Sequence, residues 1–547
     1  MFTRIAIVNR GEPARRLIHA ARELGYEHGH EVTTIALHTA EERTATFVRE
    51  ADEGWLIGRP DGGNPYLDHA ELERALRESG ADAAWVGWGF VAEDPAFADL
   101  CEAIGVTFIG PSGDVMRRLG DKIAAKLLAE EVGVPVAEWS RGPVETDQEA
   151  RRHAAAIGYP LMVKAAAGGG GRGIRIVTEE SELLPAVQRA RDEALRAFGD
   201  ASVLMERLVT GARHVEVQVI ADNHGTGWAV GVRDCSVQRR SQKLIEESDS
   251  PVLSAERERE LRDRSVDLVL AAGYRGAGTV EFLYQPQEDA LAFLEVNTRL
   301  QVEHPVTEAT TGLDLVKLQI HVASGGRLEG DPPAGRGHAI EARVNAEDPD
   351  RGFAPAPGRV EMLELPTGPG IRVDTGVTEG DDIPSAYDSM IAKVIAWGAD
   401  RDEARARLRR ALAEMAVVIR GGATNRTFLM DLLDRPEVIS GEADTGWLDR
   451  VGAEGPLTSA RHADVALMAA AIEADRVEEA LERKSFYATA RRGRPKANHE
   501  ITRDVDLRYR GQGYRLSVAR VGPNRYRITP AGGGGNTLTV EPMGRFE

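Results

Sequence analysis

Residues 279–308 read TVEFLYQPQEDALAFLEVNTRLQVEHPVTE and predict the hairpin around which the chain is organised. An apolar-rich run precedes the turn-like segment QPQED (residues 285–289), and a second run follows it. A turn centred near Glu288 places Glu281 directly across from Glu295. Two facing carboxylates repel each other unless a cation lies between them, so these two residues are predicted to be metal-type ligands.

Polar side chains continue beyond the hairpin at alternate positions. These residues are Asn297, Arg299, Gln301 and Glu303. Period-two alternation predicts one polar strand face. Eight extended steps from Glu295 to Glu303 span about 26 Å, which is too far for one small ligand. The sequence therefore predicts two half-sites, with a bend near residues 298–300 bringing them together.

Composition limits the classes of partner. The 547 residues are 42% hydrophobic and 28% charged, which is ordinary for a globular protein, and their number predicts about three to four domains. A net charge of −19 argues against nucleic acid or an anionic membrane as the main partner. Neither a signal peptide nor an 18-residue apolar run is found, and the two cysteines suit a reducing cytosol. We predict a cytoplasmic protein without a membrane anchor.

The first 115 residues alternate between strand and helix patterns. A buried-strand pattern at residues 4–8 precedes a helix pattern at 13–24, and a second strand pattern follows at 32–37. This repetition predicts a doubly wound α/β domain. No GxGxxG motif follows the first strand, which argues against a dinucleotide site.

A glycine-rich loop lies between two short strand patterns in residues 161–177. Its core, AAAGGGGRG at 165–173, is followed by a strand and not by the helix of a dinucleotide motif, and Walker A residues are absent. Backbone N–H groups cradling phosphates, together with Lys164 and Arg172, are the favoured interpretation. A flexible surface loop is the alternative.

Two further side chains have two interpretations each, and a third has one. His214 shares one strand face with Glu216 and is either a structural hydrogen-bonding residue or a catalytic one. Arg343 either points toward a site or forms a surface ion pair. Cys235 is interpreted as a small packed residue, because no histidine base is near it in sequence.

Taken together and in order, the motifs of residues 1–450 resemble the biotin carboxylase component of biotin-dependent acyl-CoA carboxylases, within the ATP-grasp superfamily. The motifs are NRGE (9–12), IGPS (109–112), GDK (120–122), VKAAAGGGGRG (163–173), RHVEVQV (213–219), RDCSVQRR (233–240), GTVEF (278–282), EVNTRLQVEHPVTE (295–308), EARVNAEDP (341–349) and YDSMIAKVI (387–395). Each motif alone is weak, but the ordered set is highly specific.

The resemblance implies a multidomain fold of the α/β and α+β classes. We expect a Rossmann-like N-terminal domain at 1–118, an ATP-grasp domain at 119–334 and a biotin carboxylase C-terminal domain at 335–450. The helix pattern and alternating strands of residues 457–547 predict a partial linking domain, as in large single-chain acyl-CoA carboxylases. The final residues stop within a strand pattern, which suggests the N-terminal part of a longer polypeptide.

The resemblance also implies a role for each matching residue. ATP would be bound by Lys122, Lys164, Gly168, Gly169, Gly170, Gly171, Glu206, Arg207, Val209, His214 and Gln238. Mg²⁺ or Mn²⁺ would be bound by Glu281, Glu295 and Asn297. Bicarbonate would be bound by Lys243, Arg299, Gln301 and Val302. Glu303 would act as the base, and Arg343 would stabilise the biotin enolate.

These residue types suit the carboxylation of carrier-borne biotin. ATP activates bicarbonate as carboxyphosphate, and positioning with electrostatic stabilisation supplies most of the catalysis. Expected partners are a biotin carrier domain and a carboxyltransferase domain, and a homo-oligomer contact at Arg16 and Glu23 is possible on the resemblance. Ser241 stands where the family has a histidine in RRHQK, which leaves one nucleotide contact open.

Three alternatives remain at this point. A pyruvate carboxylase or other biotin-dependent carboxylase component would share every motif quoted above. Another ATP-grasp ligase fits less well, because Arg299, Gln301 and Glu303 with Arg343 suit bicarbonate and a ureido ring. An inactive nucleotide-binding assembly module is the non-enzyme alternative.

Overall fold

The computed structural model describes residues 1–58, 62–166, 174–454, 462–490, 493, 502–509, 512–531 and 538–540. The chain divides into two compact units, Met1–Gly455 and Pro456–Glu547. No helix in the described part combines the length and the apolar character that a bilayer crossing requires.

The chain begins with a parallel sheet. Its elements are β1 (Arg4–Ile7), α1 (Gly11–His28), β2 (Thr33–His38), α2 (Thr46–Glu50), β3 (Glu53–Leu56), α3 (His69–Ser79), β4 (Ala83–Trp85), α4 (Pro95–Ala103) and β5 (Thr107–Phe108). The strand order is β3-β2-β1-β4-β5. Ile5 and Ile7 belong to one hydrophobic cluster, whereas Ala6 and Val8 belong to another. Both faces of the sheet are therefore covered, which confirms the doubly wound prediction.

A small antiparallel sheet follows. Its region contains α5 (Gly113–Gly120), α6 (Lys122–Glu131), α7 (Asp147–Ile157), β6 (Leu161–Ala165), β7 (Arg175–Val177), α8 (Glu180–Phe198) and β8 (Val203–Arg207). The order β7-β6-β8 confirms the hairpin predicted on either side of the glycine loop. The predicted phosphate-binding glycines 168–171, and Arg172, lie outside the described residues.

The remaining elements of the first unit build the large sheet and the structures around it. The central ones are β9 (Arg213–Ala221), β10 (Gly227–Arg239), β11 (Gln242–Ser248), α9 (Ala255–Ala271), β12 (Gly276–Gln285), β13 (Ala290–Asn297), α10 (His304–Thr311), α11 (Leu315–Ala323) and β14 (His338–Asn345). Those that follow are β15 (Glu347–Asp348), β16 (Ala354–Pro355), β17 (Gly358–Glu364), β18 (Ile371–Thr375), β19 (Asp382–Ile383), β20 (Met390–Gly398), α12 (Arg401–Glu414), β21 (Ala416–Arg420), α13 (Arg426–Leu433), α14 (Pro436–Ser440) and α15 (Trp447–Glu454).

An eight-stranded sheet joins the two predicted regions on either side of residue 334. Its order is β13-β12-β9-β10-β11-β14-β20-β18. Strand β11 pairs with β14, so the sheet is continuous across the predicted boundary. One set of strands therefore positions side chains from both regions.

The second unit is a helix followed by an antiparallel sheet. It comprises α16 (Ala463–Ala490), β22 (Thr502–Tyr509), β23 (Gln512–Gly522), β24 (Arg525–Pro530) and β25 (Leu538–Val540), with the strands in sequence order. Ile472 of the helix is buried with Val518 and Ile528 of the sheet. The predicted order of helix and strands is confirmed.

Candidate active site

The hairpin of β12 and β13 has the predicted register. Glu281 lies opposite Glu295 on one side and opposite Glu216 of β9 on the other. The three carboxylates therefore form a row across three strands. Because like charges at facing positions destabilise a sheet, the row requires cations.

The predicted continuation of the second strand to Glu303 is wrong, whereas the predicted bend is confirmed. Strand β13 ends at Asn297, and α10 begins at His304. The N–H of Thr298 donates to Glu93 Oε1 at 3.1 Å and not to a neighbouring strand. The chain turns between these elements. The distance of about 26 Å that an extended strand would place between Glu295 and Glu303 therefore does not apply.

Lys243 supplies the cation that the row requires. Its Nζ lies 2.6 Å from Glu216, 3.0 Å from Glu281 and 2.6 Å from Glu303. Burial lowers the pKa of Lys243, but attraction by these three carboxylates outweighs it and raises this pKa well above its ordinary value. Lys243 is therefore charged at neutral pH, and it joins the predicted metal half-site to the predicted base.

A tight turn positions Lys243. Residues Arg240 and Ser241 connect β10 to β11, and their φ values are 47° and 64°. Two consecutive positive φ values are those of the hairpin turn that matches the twist of the flanking strands. The serine that replaces the family histidine is exposed at this turn.

Glu303 is held between two cations. Its Oε1 contacts Lys243, and its Oε2 lies 2.8 Å from Arg343 Nη2. Burial would raise the pKa of Glu303, but Lys243 and Arg343 bring this pKa well below its ordinary value. The inward orientation of Arg343 is thus confirmed, and the surface ion pair is wrong.

Arg233 is a buried residue of the site to which the sequence assigned no role. It is fully buried, and its guanidinium lies 2.6 Å from Glu216, 2.7 Å from Gln218 and 3.0 Å from Gln301. Glu216 and Gln218 alternate on β9, and Arg233 faces Glu216 from β10. The sequence predicted that Glu216 and Gln218 share a strand face, but it did not predict that Arg233 contacts them.

Cys235 is a packed residue, as predicted. Its Sγ is buried 4.0 Å from Glu303 Oε1. Burial raises the pKa of this thiol well above its ordinary value, so Cys235 is not a thiolate nucleophile at neutral pH.

Three of the four residues predicted to bind bicarbonate, namely Arg299, Gln301 and Val302, lie between the end of β13 and the start of α10. Arg299 Nε lies 2.9 Å from Glu93 Oε2, and Gln301 Nε2 donates to Glu281 Oε1 at 2.7 Å. The carbonyl of Val302 accepts a hydrogen bond of 3.0 Å from Lys393. Glu93, from the region of the parallel sheet, therefore contributes a carboxylate that contacts Arg299, and the sequence contained no signal for this contact.

The predicted nucleotide end contains a lysine pair. Lys164 and Lys126 both form ion pairs with Glu206, the latter at 2.9 Å. Burial opposes them, yet Lys164 and Lys126 lower the pKa of Glu206 to about 2. Lys122 follows Asp121, whose carboxylate starts α6 by accepting the N–H groups of Ile123 and Ala124. The sequence did not predict the ion pair of Lys126, which lies one helical turn after Lys122.

His214 lies apart from this nucleotide end, in the row of carboxylates. Its Nε2 is 3.2 Å from Glu281 Oε2, and the side chain is buried. Burial lowers the pKa of His214, but Glu281 raises it above its ordinary value overall. Gln238 lies on β10 opposite Lys243, and the N–H of Arg207 donates to Glu138 at 2.8 Å. The adenine and ribose contacts assigned to these residues stay predictions.

The facing carboxylates fit a divalent cation. Burial and repulsion by Glu281 raise the pKa of Glu295, while Lys122 opposes this increase. Asn297 lies two residue pairs further along the same ladder, and its side-chain oxygen accepts a hydrogen bond of 3.2 Å from Arg299. Carboxylate and amide oxygens are the ligands that Mg²⁺ accepts, and a cation would relieve the repulsion.

Three family profiles match successive parts of the chain. Residues 1–116 match the biotin carboxylase N-terminal domain, 121–330 match the ATP binding domain of the carbamoyl-phosphate synthase L chain, and 341–450 match the biotin carboxylase C-terminal domain.

Individual proteins are similar over the same region. Biotin carboxylase 1 of Bacillus subtilis is 45% identical over 451 residues, covering 82% of this chain and 98% of its own length. The propionyl-CoA carboxylase alpha chain of Ruegeria pomeroyi is 41% identical over 478 residues, covering 83% of this chain and 69% of its own. The biotin carboxylase domain of Hydrogenobacter thermophilus 2-oxoglutarate carboxylase, solved with MgADP, ADP and bicarbonate, has a TM-score of 0.77 at 41% identity. That comparison covers 82% of this chain and 98% of the solved one.

Proposed function

The chain belongs to the biotin carboxylase family, and we propose from this premise how its residues carry out the ATP-dependent carboxylation of biotin. The observation that carries the proposal is the Glu303 carboxylate, buried between Lys243 at 2.6 Å and Arg343 at 2.8 Å. A base placed between two cations can accept a proton while both neighbouring charges stabilise the anions that form around it.

The reaction has two stages. An oxygen of bicarbonate attacks the γ-phosphorus of ATP, the bond from that phosphorus to the ADP oxygen breaks, and carboxyphosphate forms. Carboxyphosphate separates into CO₂ and phosphate, and the ureido nitrogen of biotin gives its proton to the Glu303 carboxylate and bonds to CO₂. Lys243, Arg299 and Gln301 hold bicarbonate, and Arg343 balances the negative charge on the ureido oxygen.

Substrates would change the basicity of Glu303. In the free enzyme Lys243 and Arg343 lower its pKa well below the ordinary value, which makes it a weak base. Bicarbonate at Lys243 and the ureido oxygen at Arg343 each draw a cation away from the carboxylate. Its pKa then rises toward the range in which a base is effective, so the base strengthens only when both substrates are bound.

The other half-site holds the nucleotide and its metal. Lys122 and Lys164 contact phosphates, and Glu281, Glu295 and Asn297 hold Mg²⁺ or Mn²⁺. When bound, the ion neutralises charge on the phosphate oxygens. Lys126 fixes Lys164 through their shared partner Glu206, to which each forms an ion pair.

The biotin is carried by a separate domain, and a carboxyltransferase passes the carboxyl group to an acyl-CoA. Similarity to an acyl-CoA carboxylase chain supports that acceptor class, and the pyruvate alternative would use the same residues. The intact cluster of Lys243, Glu303 and Arg343 argues against an inactive assembly module.

Bicarbonate-dependent ATP hydrolysis, measured with and without free biotin, tests this proposal. Wild-type protein should release phosphate faster when biotin is added, and Glu303→Gln and Arg343→Ala should lose that stimulation. Glu27→Gln replaces an exposed carboxylate of α1 and should behave as wild type. Equal stimulation in all four proteins would contradict the proposed roles.

A further inference from the structure

Two buried carboxyl groups face each other behind Arg343. Glu246 of β11 and Glu341 of β14 occupy opposite positions in the antiparallel ladder, and both are 0% exposed. Arg343 lies two residues after Glu341 on the same face of β14, and its Nε is 2.6 Å from Glu246 Oε1. Arg343 is therefore held by Glu246 at one nitrogen and by Glu303 at another.

Glu341 differs from its neighbour because it lacks a cation of its own. Within the described residues Glu341 forms no ion pair, and its side-chain oxygens, like those of Glu246, have no hydrogen-bond partner. Lys393 of β20 lies opposite Arg343 of β14, but its Nζ contacts Glu12 at 3.0 Å and the carbonyl of Val302 at 3.0 Å. An ionised Glu341 would be an uncompensated charge in the interior, which is strongly unfavourable.

We propose that Glu246 and Glu341 together hold one proton, located on Glu341, and that this pair positions Arg343 for the reaction. Two buried carboxyl groups at facing positions cannot both ionise cheaply, so one of them keeps its proton. Glu246 takes the negative charge because Arg343 lies beside it. This inference rests on the proposed role of Arg343 at the ureido oxygen.

The surrounding charges favour this distribution. The charged groups that act on Glu341 are Lys393, Glu246, Arg343 and Glu303. Burial, assisted by Glu246 and Glu303, raises the pKa of Glu341 well above its ordinary value although Lys393 opposes it. Burial likewise raises the pKa of Glu246 to about 7, and Arg343 limits this increase.

A neutral Glu341 preserves the charge that Arg343 presents to substrate. Arg343 already faces two carboxylates, those of Glu246 and Glu303. A third negative charge at Glu341 would weaken its attraction for an oxyanion, whereas a proton there removes this competition. Glu246 then orients the guanidinium from behind without contacting substrate, so it is a positioning residue.

Infrared spectroscopy of protein with isotope-labelled glutamate tests the location of the proton. Above pH 7, where Glu246 is ionised, wild-type protein should show the C=O stretch of a protonated carboxyl group, and Glu341→Gln should lose that band. The band does not depend on turnover, so its outcome is separate from that of the proposed function. A band that persists unchanged in Glu341→Gln would overturn the inference. Failure of Glu341→Gln to fold would also overturn it, because an amide matches a protonated carboxyl group in size and charge.

Biotin-stimulated ATP hydrolysis across a pH series tests the positioning role. Above pH 7, where Glu246 is ionised, Glu341→Gln should keep wild-type turnover, whereas Glu246→Gln should lose about tenfold because its ion pair with Arg343 is lost. Wild-type turnover should also fall as pH decreases through about 7, where Glu246 gains a proton, and Glu246→Gln should lack that decrease. Equal losses in the two variants would show that Glu341 acts as an ionised group and would contradict the proposal.

Discussion

Replacing Lys243 with methionine would remove the central cation of the site while keeping most of its volume. The ammonium group is 2.6–3.0 Å from Glu216, Glu281 and Glu303, and its side chain is 12% exposed. Removing one partner of a buried ion pair costs about 3–5 kcal/mol. Applied to the transition state, this cost corresponds to a loss of about 10²–10⁴-fold in kcat/KM for bicarbonate.

The assay is bicarbonate-dependent ADP formation, accompanied by thermal unfolding to verify that the variant is folded. Lys243→Arg keeps the positive charge but replaces a compact ammonium group with a planar guanidinium. It should therefore recover part of the activity that Lys243→Met loses. Lys317→Met is the matched control, because Lys317 also contacts two carboxylates at 2.7 Å, but those of Glu23 and Glu27 are largely exposed. It should lose at most about fivefold. A folded Lys243→Met protein with activity within that range would refute the reasoning.

Two further predictions concern the nucleotide half-site. Glu295→Gln removes one of the two facing carboxylates, so it should raise the Mg²⁺ concentration needed for half-maximal ATP turnover, and an unchanged requirement would argue against the predicted ligands. Lys164 and Lys126 lower the pKa of Glu206 from 4.5 to about 2, against the effect of burial. The ionised Glu206 therefore contributes to the free energy of unfolding above about pH 4.5, and this contribution is lost as pH falls toward 2. Glu206→Gln should flatten the pH dependence of denaturant unfolding in that window, and the wild-type slope in the variant would exclude this linkage.

The hairpin could be predicted because its information is local. The turn-like residues between two strand patterns determine which side chains face each other, and the resulting Glu281–Glu295 pair is confirmed. The ordered motifs likewise indicated the family. Alternation wrongly predicted that the strand continues beyond Asn297. Polar residues at every second position also occur in this bent segment, where the N–H of Thr298 donates to a side chain and not to a neighbouring strand.

The ion pairs and hydrogen bonds that hold Arg233, Arg299 and Lys126 could not be predicted, because their partners are distant in sequence. Arg233 reaches Gln301 across 68 residues, and Glu93 reaches Arg299 across 206. Lys126 required knowledge of how α6 packs beside Glu206. Such contacts depend on strand order and on the placement of whole domains, neither of which is visible in a local pattern.

Transfer of an oxygen isotope tests the central claim most directly. If bicarbonate attacks ATP, as proposed for the cluster of Lys243, Arg299 and Glu303, then ¹⁸O-labelled bicarbonate must leave one labelled oxygen in the phosphate that is released. Mass spectrometry of that phosphate, from wild-type protein turning over ATP with free biotin in unlabelled water, should detect this label. Unlabelled phosphate at the same biotin-dependent turnover would contradict carboxyphosphate formation and the roles assigned to these residues.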